Sequence, residues 1–209
     1  METSVWPAIV TFLSVYTFAI VSPGPNFILV TNTALGESRR TGLITALGVA
    51  TGSGLFALAG LAGLLVLVNA LPHFATIMRF VGGGYLTWLG FDMLRHRHRK
   101  LPLKGTGQPG VNAEPLVAYR TGLLTNLSNP KAWAFYLSLF TLVMAPHFPL
   151  WGKVFLNVAM FLISLVWYAT VVVLISSRTF QPLFLSWRPL IQGVLGVLLM
   201  LLGGKILLA

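Results

Sequence analysis

The chain has 209 residues, of which 56% are hydrophobic and only 9% charged, and its mean hydropathy is +0.83. Soluble domains carry about 25% charged residues, so this composition excludes a soluble globular enzyme, a disordered tail and a nucleic-acid-binding domain. The net charge of +10 and the lack of cysteine then take membrane meanings: basic residues that set topology and contact anionic lipid, and no disulfide, thiolate metal site or dithiol chemistry.

Six hydrophobic segments are predicted, roughly Val5–Leu35, Gly42–Ala70, Phe74–Leu94, Leu116–Ala145, Trp151–Ser176 and Pro189–Ala209. A spanning helix needs about 20 apolar residues, so six fit this length with short loops. The start, Met1-Glu2-Thr3-Ser4, has no basic region, and no cleaved signal peptide is read. Ten of the 14 Lys and Arg follow segments one, three and five: Arg39 and Arg40; Arg95, Arg97, Arg99, Lys100, Lys104 and Arg120; Arg178 and Arg188. The positive-inside rule puts these stretches in the cytoplasm and both termini outside.

Segment one is interrupted by Ser22-Pro23-Gly24-Pro25-Asn26. Two prolines remove two backbone donors and clash with the preceding turn, and Gly24 adds freedom, so a straight helix is not expected here. In lipid such a break survives only against protein or a water-filled cavity. It is read as a functional break, with a packing kink as the alternative. The next two segments are rich in glycine, including Gly48-x-x-x-Gly52 and Gly82-Gly83-Gly84, and so is the sixth, with Gly193, Gly196, Gly203 and Gly204. Such residues permit close backbone approach.

The basic stretch 96–114 is a flexible linker, rich in Pro and Gly after Lys100. His96 and His98 lie among cations, whose field repels a divalent ion, so no metal site is read there. The linker divides the chain into residues 1–95 and 115–209, each with three segments. An odd number per half makes the halves insert in opposite directions, as inverted repeats do. The expected fold is thus an all-α polytopic membrane protein of six transmembrane helices in two inverted three-helix repeats.

Segment four carries the second interruption, Asn126-Leu127-Ser128-Asn129-Pro130-Lys131. Asn129 is suited to cap a helix that starts at Pro130, which is also a plain helix-start signal. Lys131 is the one cation well inside a segment, read either as a snorkelling anchor or as a fixed charge for a substrate carboxylate. Leu116, Tyr119, Leu123, Leu124 and Leu127 share one face, so the stretch before Pro130 either spans or lies along the interface. Trp133 lies just past the break, where it would line a cavity. Two such breaks suit a zwitterion: half-helix N-termini favour a carboxylate, and freed carbonyls with Ser or Asn oxygens favour an ammonium group. No carboxylate cluster lies in the segments to pair with a cationic side chain or to hold a divalent metal. Arg40-Thr41-Gly42-Leu43-Ile44-Thr45-Ala46-Leu47 also matches Arg120–Leu127 at six of eight positions, although segments two and four are not equivalent in such a repeat.

These motifs resemble the LysE/RhtB family of amino-acid exporters over nearly the whole chain. They are Ser22-Pro23-Gly24-Pro25-Asn26, Gly42 through Gly52, Gly84-Tyr85-Leu86 with Leu89-Gly90, and Asn129-Pro130-Lys131-Ala132-Trp133. The resemblance implies a secondary transporter of the bacterial inner membrane. It would export a neutral amino acid such as leucine, threonine or homoserine, driven by the proton motive force. Substrate-binding candidates are Ser22, Pro23, Gly24, Pro25, Asn26, Asn126, Asn129, Pro130, Lys131 and Trp133. Asp92 departs from the family pattern and is placed at headgroup level, so it is not read as a coupling carboxylate. Expected partners are the amino acid, protons, anionic lipids and further copies of the chain; no cofactor or nucleic acid is expected. The alternatives are a metal-ion or other small-solute exporter or channel of the same superfamily. An intramembrane enzyme would need His beside Ser or Asp within the segments, and His73, His96, His98 and His147 all fall in loops.

Overall fold

A computed structural model describes residues 5–70, 74–99, 114–140 and 148–208. Most of the linker, the chain start and His73 and His147 fall outside the described residues. The helices are α1 (Trp6–Ile20), α2 (Pro25–Gly36), α3 (Arg39–Ala70), α4 (Phe74–Arg95), α5 (Pro115–Leu127), α6 (Pro130–Phe140), α7 (Leu150–Ile175) and α8 (Phe180–Leu208). Within the described residues the structure is all-helical. Among the described residues, α3 (over Arg39–Gly60), α7 and α8 are long and apolar enough to cross a membrane, and the α1–α2 pair, bent by 54°, is a fourth if it is one broken span and not a re-entrant loop.

Segment one breaks where the prolines demand it. α1 ends at Ile20, and Gly24 is extended (φ −135°, ψ −169°) before Pro25 opens α2 as its first residue. Segment four is likewise two helices, parted at Ser128-Asn129. The interfacial reading of its first part gives way to a different arrangement. α5 runs along α3 in the same direction: a Cβ on Gly48 would strike the Tyr119 carbonyl, one on Gly122 the Thr45 carbonyl, and one on Gly52 the Asn126 side chain. The face of α5 that is buried is Ala118, Gly122 and Asn126, not the leucine face, since Leu124 is 61% exposed. Leucine gains nothing by leaving lipid, so small residues mark helix contacts in a membrane.

Segment six starts earlier than predicted. Pro189 is internal to α8, which begins nine residues upstream at Phe180. Ser186, Trp187 and Arg188 interrupt the apolar pattern without interrupting the helix. α8 pairs with α4 in antiparallel register through glycines seven residues apart on each. Cβ atoms at Gly83 and Gly203 would each approach the other's carbonyl, as would those at Gly90 and Gly196.

Two apolar clusters form the interior. One gathers Phe12 and Tyr16 of α1 with Phe56, Leu89, Leu139, Leu156 and Met160. The other gathers Phe27 and Val30 of α2 with Ala46, Val49, Tyr168 and Val172. Along α3 the boundary between them is Ser53, along α7 it is Ser164, and along the first segment it is the break. A polar layer therefore crosses the bundle between two apolar ones, and both breaks lie in it.

Candidate functional site

The two interruptions meet. Lys131, second residue of α6, donates its ammonium to Ser22 Oγ at 2.8 Å, and its aliphatic chain passes over Gly24, whose Cβ would lie 3.5 Å from Cδ. Asn126, 1% exposed, is the hub. Its Oδ1 accepts from Asn26 Nδ2 at 2.9 Å, and its own amide donates to the Val49 carbonyl at 2.7 Å and to Ser53 Oγ at 3.1 Å. The Ser53 and Ser164 hydroxyls are 2.9 Å apart, which carries the network to α7. An Asn buried this deeply is stable only when its donors and acceptor are all used. Gly52 makes room for it.

Asn129 caps α6 as its sequence position suggests: Oδ1 accepts the Lys131 backbone N–H at 3.0 Å, and its amide reaches Asn26 Oδ1 at 3.5 Å. Pro130 opens the helix as its first residue, where a missing N–H costs nothing. Trp133 does not face the cavity. Its ring stands edge-on to Phe56 at 4.7 Å, and its indole N–H spans the break to the Leu127 carbonyl at 2.8 Å. Tyr85 closes the same turn by donating to the Lys131 carbonyl at 3.0 Å.

Between these groups lies a cavity of about 60 Å³, lined by Ser22, Gly24, Asn26, Asn126, Asn129 and Lys131, with Ser53, Ser164, Tyr16, Tyr136 and Tyr168 and the apolar Ile20, Leu89 and Phe135. One water needs roughly 10–15 Å³ of such space, so the cavity holds several, or a small solute. Among the described residues its lining has one cation and no Asp or Glu. Six of the ten sequence candidates line it; Pro23, Pro25 and Trp133 do not. Sequence reasoning passed over Ser53 and Ser164. The available signals were a hydroxyl between two glycines in Gly52-Ser53-Gly54, and the one hydroxyl in the apolar run Met160–Val166.

Asp92 is not among the described residues that line this cavity. It pairs with His96 one turn on, at 2.9 Å, with both side chains partly exposed.

A family model described as LysE type translocator matches residues 17–209. The chain belongs to that family. Among its relatives, this LysE-type chain is 33% identical to an uncharacterized membrane protein, YahN, of Escherichia coli, over 79% of its own length and 74% of that protein's. It is 34% identical to the threonine efflux protein of Salmonella typhi over 66% of both chains. It is also 34% identical to the leucine efflux protein of Klebsiella pneumoniae, over 62% of its length and 60% of that protein's. No solved structure is a significant match.

Proposed function

We propose that the chain exports a neutral amino acid, of the threonine, leucine or homoserine kind, from the bacterial cytoplasm, and that the proton motive force drives it. The observation that carries this is the Lys131–Ser22 contact across two broken helices. A single ammonium, held by a neutral hydroxyl in a cavity without acids, is a carboxylate site waiting for its ion: a carboxylate displaces Ser22 because a charge-assisted bond is roughly twice as strong as a neutral one. The substrate ammonium then takes the oxygens of Ser22, Asn26 and Ser53, and an aliphatic or hydroxyl side chain lies against Ile20, Leu89 and Phe135. A lysine side chain would enter unpaired and next to Lys131, at a cost of several kcal/mol. Relatives named for threonine and leucine efflux support the same substrate class.

The orientation proposed places both termini in the periplasm and the basic stretches inside, with six spans arranged as two inverted repeats. The reciprocal pairs Gly83–Gly203 and Gly90–Gly196 support the repeat, because a twofold axis in the membrane plane would exchange them. Anionic lipid is proposed along the cytoplasmic groove of about 910 Å³ between α4 and α8, where Arg97 and His98 stand above Leu94, Pro189, Leu190 and Val194.

The test is efflux of labelled threonine and leucine from preloaded cells expressing the chain. Both should leave faster than in control cells, a protonophore should stop the difference, and excess lysine should not compete. Competition by lysine equal to that by leucine would refute the neutral-substrate reading, and efflux indifferent to protonophore would remove the proton.

A further inference from the structure

The first break has two sides. Ser22, Gly24 and Asn26 line the central cavity, whereas Val21, Pro23 and Phe27 line a second one of about 20 Å³. The far wall of this second cavity is Trp167 of α7 with Phe184, Arg188, Ile191 and Gln192 of α8. Three side-chain nitrogens there, Trp167 Nε1, Arg188 Nε and Gln192 Nε2, are buried and have no hydrogen-bond partner among the described residues. Gln192 is only 2% exposed, so lipid and bulk water do not serve it. Arg188 is anchored through Nη1 to the Arg99 carbonyl at 2.9 Å, which leaves Nε free to face inward. Arg188 and Gln192 are four residues apart and share one face of α8.

All three orphans are donors, and an indole or a guanidinium can be nothing else. A water accepts only about two hydrogen bonds, whereas a carboxylate offers about four lone-pair sites. Volume adds a second constraint: 20 Å³ is the space of one or two waters, which suits a carboxylate group. A phospholipid already has a far larger groove on the α4 side of α8.

We propose that this cavity, between break one, Trp167, Arg188 and Gln192, is a second carboxylate site, which holds the cargo's α-carboxylate on the cytoplasmic side of the break before Lys131 receives it. The proposal rests on the amino-acid reading above. The carboxylate then moves from one side of the Val21–Gly24 break to the other, and the break acts as the partition between two sites.

The test uses purified full-length protein in phosphatidylcholine nanodiscs, carrying Lys131→Gln so that the central site cannot take the probe. The readout is the unfolding midpoint against sodium acetate, with sodium chloride at equal ionic strength as control. Acetate should raise the midpoint saturably, and adding Arg188→Gln or Gln192→Leu should weaken it about tenfold, as expected for a lost charge-assisted bond. Gln192→Leu removes a buried orphan amide and so keeps the fold. Gln192→Glu supplies the carboxylate from within, four residues from Arg188, and should raise the midpoint without acetate while erasing the acetate response. No saturable acetate shift, an equal shift with chloride, or a shift untouched by these variants would overturn the site. Stabilisation by phosphatidylglycerol alone, lost in the same variants, would overturn it in favour of a lipid headgroup. Acetate is not the cargo and nothing is transported, so a chain that exports no amino acid would still give the acetate result if this site exists.

Discussion

Break two has a side-chain cap of its own and break one does not. At Ser128-Asn129 the chain is held by the Asn129 cap, by the Trp133 indole bonded to the Leu127 carbonyl and by Tyr85 bonded to the Lys131 carbonyl. At Val21–Gly24 the α2 N-terminus has no side-chain cap. Locally it has backbone bonds, among them Ser22 N–H to the Ala19 carbonyl at 3.1 Å, while side-chain hydrogen bonds reach Ser22 and Asn26 from the other break, through Lys131, Asn126 and Asn129. One break is therefore capped by its own side chains, and the other is joined to it by the side chains that line the cavity.

Substitutions separate the two breaks, and the largest effect is expected at break one. Pro23→Ala with Pro25→Ala relieves about 3 kcal/mol of helix penalty per proline and should let α1 run into α2. The protein should insert and unfold no lower than the parent, while export is abolished. Normal export by the double variant would reduce break one to a packing kink.

Next comes Lys131. Removing a charged hydrogen-bond donor costs about 1.5–3 kcal/mol, so Lys131→Gln should lower efflux roughly 10- to 100-fold with expression unchanged. Lys131→Arg should fail to restore it, because a planar guanidinium does not replace a compact ammonium. A snorkelling anchor would accept both, and near-normal efflux by Lys131→Gln settles the matter that way.

The supports of break two should respond the other way round, in stability before transport. Asn129→Ala loses the α6 cap, worth about 1 kcal/mol, and lowers the unfolding midpoint, whereas Asn129→Ser keeps it. Trp133→Phe retains the ring against Phe56 and gives up one hydrogen bond, about 0.5–1.5 kcal/mol. Its efflux should stay within about twofold of the parent, since that energy is not tied to any step of transport. A Trp133→Phe chain that is stable yet inactive would place the indole in the substrate path after all.

Both breaks were legible in the sequence because proline and glycine act locally: the chemistry of Pro23, Gly24, Pro25 and Pro130 is decided by their own rings and missing side chains. Asn129 as a cap was legible for the same reason. The hub at Asn126 was named as a candidate, but its partners were not, because Val49, Ser53 and Ser164 reach it from helices whose register no local signal sets. The leucine face of α5 misled for a physical reason. Apolar periodicity locates the interior when the solvent is water, and in lipid the small residues Ala118 and Gly122 carry that information. The start of α8 was missed because Pro189 reads as a first residue, although a proline ten residues into a helix is tolerated where membrane neighbours satisfy the freed carbonyl. The second cavity was invisible because it is made by three donors, Trp167, Arg188 and Gln192, each ordinary by itself.

The glycine seam between α4 and α8 has a consequence in time. Gly83 and Gly203 are about 120 residues apart in the chain, and ribosomes add roughly 5–20 residues per second. Once made, the bare strip of Gly83 and Gly90 therefore waits some 6–24 s for its partner. In the finished fold that strip meets α8, so until then it lies against another neighbour, such as lipid, that α8 later replaces. α8 thus completes this seam, and chains that stop short of Gly196 leave Gly83 and Gly90 uncovered.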